Sequence, residues 1–143
     1  MATLTAANSV YMLVIPDLFP IPQQLQGYAA DDVFSTEAVD SVEIVMGVDG
    51  KLSAGWVPTQ KRQTITLQAD SVSSLMFDAW QQSQEVVRDA FTANAFITLP
   101  SLGRVYTCTN GYLTSFMPMP DARRILQPRR FQITWENILG API

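Results

Sequence analysis

Phe131, Ile133 and Trp135 alternate with Arg130, Gln132, Thr134 and Glu136 along the stretch Arg129–Ile138. Successive side chains of a strand point to opposite faces, so this pattern predicts a half-buried strand with its polar row open to water or to a lumen. Gln63–Ala69 repeats the pattern, with Ile65 and Leu67 on one face and Thr64, Thr66 and Gln68 on the other. Ser9–Ile15 is apolar on both faces, as suits a buried or interfacial strand, and Ala95–Leu99 predicts another, stopped by Pro100. Two hairpins are expected: Val42–Val57 about Asp49-Gly50, and Arg104–Thr109 with Tyr112–Phe116 about Asn110-Gly111. Both dipeptides accept the positive φ of a type I′ turn.

One stretch departs from a period of two. Val72, Leu75, Met76, Ala79, Trp80, Ser83, Val86, Val87 and Ala90 recur at three-and-four spacing, with Asp78, Gln81, Gln82, Gln84, Glu85 and Arg88 largely opposite. That spacing predicts one amphipathic helix over residues 71–90, its stripe facing the core and its first turn capped by Asp70 or Ser71. Residues 16–36 show neither period. Pro16, Pro20 and Pro22 interrupt them, yet Leu18, Phe19, Ile21, Leu25, Tyr28, Val33 and Phe34 make them too apolar for a disordered linker. An extended arm that packs on something is expected there, with a neighbouring subunit as one candidate. The fold class that follows is mainly β (α+β): a small β-barrel or sandwich of antiparallel strands with one flanking amphipathic α-helix, in a single domain spanning 1–143.

Composition adds a pressure to associate. Charged residues make up 15% of the 143 residues, against about 25% in a typical domain, and hydrophobic residues 48%. A small chain short of charge exposes apolar surface or hides it against copies of itself, so self-assembly is the first inference. The net charge of −4 argues against a clamp on nucleic acid, which needs a basic face. Six of the nine basic residues stand in pairs: Lys61–Arg62, Arg123–Arg124 and Arg129–Arg130. Such pairs are either solvated loop charge or a docking patch for an acidic partner.

Catalytic chemistry is sparse. Histidine is absent, which excludes serine–histidine and cysteine–histidine nucleophiles and histidine metal sites. Cys108 is the single cysteine, so an internal disulfide is impossible, and its alternating surroundings suggest a buried, inert thiol. No phosphate-cradling glycine motif occurs. Asp31-Asp32 and Asp49 lack EF-hand spacing and read as solvated loop carboxylates rather than a calcium site. A paired-carboxylate hydrolase stays open, since thirteen acids are present. The expectation is no enzyme, no cofactor and no metal. Trp80 and Trp135 read as core, although with Trp56 they could form a binding platform. The segment MATLTAANSVYMLVIP lacks the basic residues of a signal peptide, and the apolar run Val10–Ile15 is too short to span a membrane. Folding in a reducing cytoplasm is expected.

The order of features carries a resemblance. A hairpin with VMGVDGKLSAGW is followed by a polar linker and the strand-to-helix junction QTITLQADSVSS; an NG hairpin and a proline-and-arginine loop come next, and RRFQITWENI closes the chain. This resembles the tail tube proteins of long-tailed bacteriophages, contractile ones among them, and more distantly the tube protein of type VI secretion. The resemblance implies a small β-barrel or sandwich with one helix on its flank. It implies hexameric rings, stacked into a hollow tube through which DNA passes during ejection without specific binding. It also implies a virion tail protein assembled in the host bacterial cytoplasm, with itself as main partner and no membrane binding. Sheath, tape-measure, baseplate and terminator proteins are its further partners. In such proteins the arm and the first hairpin reach the next ring, so Leu18, Phe19, Tyr28, Asp49, Gly50, Lys51 and Trp56 become ring-stacking candidates. Arg123, Arg124, Arg129 and Arg130 become candidates for sheath docking. A terminator, a tube initiator and a secretion tube protein are the nearest alternatives. A monomeric β-barrel binding a small apolar ligand is a remoter one, suggested by aromatic and methionine content, although Met76 lies on the helix stripe and Met117 and Met119 in a proline-broken loop.

Overall fold

A computed structural model describes residues 9–26, 28 and 33–143. Within them the chain runs β1 (Val10–Ile15), β2 (Phe19–Gln24), β3 (Phe34–Thr36), β4 (Val42–Met46), β5 (Leu52–Trp56), β6 (Lys61–Leu67), α1 (Ser74–Val87), β7 (Ala93–Leu99), β8 (Arg104–Phe116) and β9 (Arg129–Pro142). Asp31-Asp32 and residues 1–8 lie outside the described residues. Seven strands form one antiparallel sheet in the order β2-β1-β7-β8-β9-β6-β3, while β4 and β5 pair only with each other. The protein is mainly β with one helix, and the sheet is not closed into a barrel.

The large sheet curls around its own apolar face. Tyr11 on β1 and Gln63 on β6, next to opposite edges, meet where the tyrosine hydroxyl donates to Gln63 Oε1 at 2.6 Å. Trp135 Nε1 donates to the same oxygen at 3.2 Å, and Gln63 Nε2 donates to Thr36 Oγ1 at 3.2 Å. A buried amide without partners would cost about 1–3 kcal/mol, and this network satisfies it. Around it pack Leu13, Ile15, Ile65, Leu67, Phe131 and Ile133, all buried. The alternation read along β9 holds: Phe131, Ile133 and Trp135 are buried between more exposed Arg130, Gln132, Thr134 and Glu136.

The proline-rich segment, expected as an extended arm that packs on something, contributes an edge strand to this subunit's own sheet. Pro20 and Pro22 fall in β2 on the sheet edge, where a missing N–H costs no inner ladder bond. Leu25 is buried, and its N–H bonds Tyr11 O at 2.9 Å. Tyr28 bridges to Leu67, and Phe34 lies edge-on to Tyr11 with ring centroids 5.7 Å apart. The chain thus passes from the β2 edge to the β3 edge, tying the two open sides of the curl together.

The helix is shorter than the periodic stretch and turned relative to it. Its buried face is Ser74, Met76, Phe77 and Trp80. Val72, Leu75, Val86 and Val87, placed on the core stripe by spacing alone, are exposed. Phe77 decides the orientation, because its ring stacks on Phe131 at 4.4 Å. Neither Asp70 nor Ser71 is the N-cap; that position is Ser73, with no side-chain cap bond. The serines instead tie the arm to the helix start, with Gln26 N–H donating to Ser73 Oγ at 2.8 Å and Ser71 Oγ donating to Gln26 O.

Asn110-Gly111 is no hairpin turn. It lies inside the single thirteen-residue strand β8. Asn110 takes φ 53°, and the pairing of β7 with β8 shifts there by one residue. This is a bulge, which bends a strand and strengthens its twist. The Asn110 side chain is held by Glu136, and its N–H bonds Asn94 Oδ1 at 3.1 Å. Gly111 is required for packing, since a Cβ there would overlap the indole carbons of Trp135.

Candidate assembly surfaces

The β4–β5 hairpin leaves the body with every one of its ten strand residues exposed. Its register pairs Val42 with Trp56, Ile44 with Ala54 and Met46 with Leu52, all on one face. That face is continuously apolar, and Trp56 at its base is 75% exposed. The turn differs from the expected two-residue type. Gly47 N–H bonds Lys51 O at 2.9 Å and Gly50 N–H bonds Gly47 O at 3.0 Å, so Val48, Asp49 and Gly50 form a three-residue loop. Of Asp49 and Gly50 only Gly50 has positive φ, at 85°, as a type I turn followed by a left-handed residue requires. Asp49 Oδ1 accepts from Lys51 N at 3.1 Å and stiffens the tip.

The candidates named from sequence therefore separate. Asp49, Gly50, Lys51 and Trp56 stand together on the projecting hairpin. Leu18, Phe19 and Tyr28 are half-buried against this subunit's own core. Arg129 differs from the other three arginines named for docking. It is 4% exposed, bonds both carboxylate oxygens of Asp78 at 2.7 and 3.2 Å, donates to Met117 O at 2.8 Å and sits 4.9 Å over the Phe131 ring. Arg123, Arg124 and Arg130 are exposed, and none has a carboxylate partner among the described residues. Arg123 and Arg124 belong to the loop before β9, closed by an Ala122–Leu126 bridge and by Gln127 N–H on Asp121 O at 2.8 Å, and Arg130 is the second residue of β9.

A third surface is the convex side of the sheet. Arg62 and Thr64 on β6, Gln132, Thr134 and Glu136 on β9, and Tyr112 and Thr114 on β8 form a polar field, with Thr114 and Thr134 hydroxyls 3.0 Å apart. Sequence reading found the β9 row but not its continuation onto β8, because the bulge at Asn110 breaks the alternation there.

Chemistry inside the core is quiet. Burial pushes the Cys108 thiol up to about 12 and raises Tyr11 and Tyr28 above the ordinary tyrosine value. Cys108 is fully buried and free. Among the described residues, no three His, Cys, Asp or Glu side chains gather to hold a metal, and no helix is long and apolar enough to cross a membrane. Trp80, Trp135, Tyr11, Phe77 and Phe131 fill the interior.

Solved structures with this fold come from contractile injection systems. A chain of the anti-feeding prophage cap, described as its tube-terminating cap, aligns with TM-score 0.64 and 8% identity over 100% of this chain and 93% of that one. A chain of a PVC sheath–tube complex, from an extracellular contractile injection system in its extended state, aligns with TM-score 0.64 and 10% identity over 99% and 93%. A chain of the anti-feeding prophage baseplate aligns with TM-score 0.62 and 12% identity over 99% and 98%. No curated protein sequence matches. A family model described as tail fiber protein gp32 matches residues 2–139, nearly the whole sequence, and the chain belongs to that family.

Proposed function

We propose that this chain is a structural subunit of a phage-like tail and, more finely, that it forms hexameric rings stacked into the tail tube. Family membership supports the tail role. The observation that carries the finer reading is the β4–β5 hairpin, an apolar face on a two-stranded ladder that stays exposed among the described residues. An isolated two-stranded hairpin is marginal in water, so such a prong is stable in use only when a partner buries it. A prong on one side of a subunit suits a head-to-tail contact, which closes into rings or extends into stacks. The edges β2 and β3 offer the lateral pairing that a ring needs. The concave face of the sheet is filled by core and helix, so the convex polar field lines the channel. Hydroxyls and amides there, with Arg62 and Arg130 interrupted by Glu136 of opposite sign, give phosphates no continuous basic wall, and DNA slides.

The cap and the tube chain match this fold equally well, so the terminator and initiator readings predict the same subunit in a different place. A place in the tail, among other tail proteins, goes with this role. Negative-stain electron microscopy of the concentrated protein separates these readings. Hollow stacks with six-fold end views are expected. Rings that stop at one layer would mark a terminator or initiator, and a monomer with no rings at any concentration would overturn both.

A further inference from the structure

We infer that the hairpin of one copy docks on the arginine loop of the next, into the open groove between that loop and the β6–α1 connection. This deepens the tube reading above and rests on it. Three observations meet. The first is placement. β6 begins at Lys61, directly after the hairpin, and ends at Leu67, which pairs with Arg129 at the close of the arginine loop. Seven residues of strand put the two features roughly 20 Å apart, at opposite ends of one strand. A copy translated along β6 brings the prong of one subunit to the loop of its neighbour.

The second observation is charge. The segment Glu37–Trp56 carries four carboxylates, Glu37, Asp40, Glu43 and Asp49, against one lysine, Lys51. The opposite end presents Arg123, Arg124 and Arg130, exposed and without carboxylate partners among the described residues, against Asp121 and Asp70. The third is shape and polarity. Ala69, Ile125, Leu126 and Pro128 line, with Gln68, Asp70 and Gln127, an open groove of 740 Å³. Ile125 and Leu126 are exposed beside it, as are Val42, Ile44, Met46 and Leu52 on the prong. Each end thus has an apolar centre and a net charge opposite in sign to that of the other. Complementary charge fixes register and suppresses wrong pairings, while the apolar centre supplies the area.

Two experiments on the full chain test the pairing. Arg123→Glu with Arg124→Glu sets like charge against the acidic hairpin segment, and the concentration needed for assembly is expected to rise at least about tenfold. Adding Asp40→Arg and Glu43→Arg to the same chain restores assembly. Separately, a Leu52→Cys chain mixed with an Ile125→Cys chain under a mild oxidant is expected to give a disulfide-linked dimer that neither chain gives alone; buried Cys108 does not compete. Reversal without effect on assembly would overturn the inference and leave the arginines to another partner, such as a sheath. Reversal that the swap does not rescue, or assembly without the cross-link, overturns the pairing as well. Wild-type protein that forms no ring or stack defeats the tube reading itself, a separate outcome.

Discussion

Two antiparallel strand pairs in this protein carry the same kind of sequence and meet opposite fates. β8 and β9 put Leu113, Phe131, Ile133 and Trp135 on one face, and the chain covers them with α1 and the arm. β4 and β5 put Val42, Ile44, Met46, Leu52 and Trp56 on one face, and all five stay exposed among the described residues. Apolar content does not distinguish the pairs. The difference lies in what the connections bring back. The connection from β6 to β7 returns a helix to the buried face of the sheet, whereas residues 37–41 and 57–60 only lead out and in. One pair is made to fold the subunit and the other to join it to something else.

Substitutions sharpen this contrast, beginning with the covered pair. Trp80→Ala removes the large buried ring beside Phe77 and should cost about 3–5 kcal/mol in denaturant unfolding. A loss under about 1 kcal/mol would deny Trp80 its core place. Trp80→Phe should cost less, because Trp80 Nε1 has no hydrogen-bond partner among the described residues. Asp78→Ala strands the buried Arg129 guanidinium. About 3 kcal/mol is expected, at the lower end for a broken buried pair because Asp78 is 30% exposed. Gly111→Ala forces a methyl into the Trp135 indole and should cost about 1–3 kcal/mol, against near-neutrality if Asn110-Gly111 were an exposed turn.

Alkaline pH probes the same core. The folded Cys108 value lies above the unfolded one of 9.0, at about 12, and Tyr11 shifts the same way. Groups held protonated by folding contribute their stability below the unfolded value and lose it as pH rises toward the folded one. The unfolding midpoint should fall above about pH 9, and Cys108→Ala should flatten that slope. The smallest effect belongs to the uncovered pair. Trp56→Ala should stay within about 0.5 kcal/mol in stability, while weakening assembly.

Much of the covered half was legible. Period two along β9 and β6 named the right inward residues because those strands have one buried and one open face. The helix was legible as a helix but not as a face. Its apolar positions run around more than one stripe, and only the Phe77–Phe131 stack selects which of them is core. Asn110-Gly111 misled because a left-handed residue followed by glycine serves a bulge as well as a turn; the deciding contact, Trp135 on Gly111, is long-range. Prolines hid β2, since a strand of proline is credible only once it is known to be an edge. Of the candidate surface, the hairpin was visible and its exposure was not. Nothing local separates Val42–Trp56 from a strand pair that folds back. Arg129 looked like its neighbour Arg130 because alternation gives a face but not the Asp78 that waits on it.

The central claim is that the hairpin's apolar face is an interface between copies. Its most direct test is electron microscopy, with light scattering, of the wild-type chain beside an Ile44→Asp/Trp56→Asp chain at equal concentration. Both side chains are exposed, so the variant should keep the wild-type unfolding midpoint. The account predicts rings or stacks from the wild type and a folded, unstacked species from the variant. Stacks of wild-type length from the variant would contradict it.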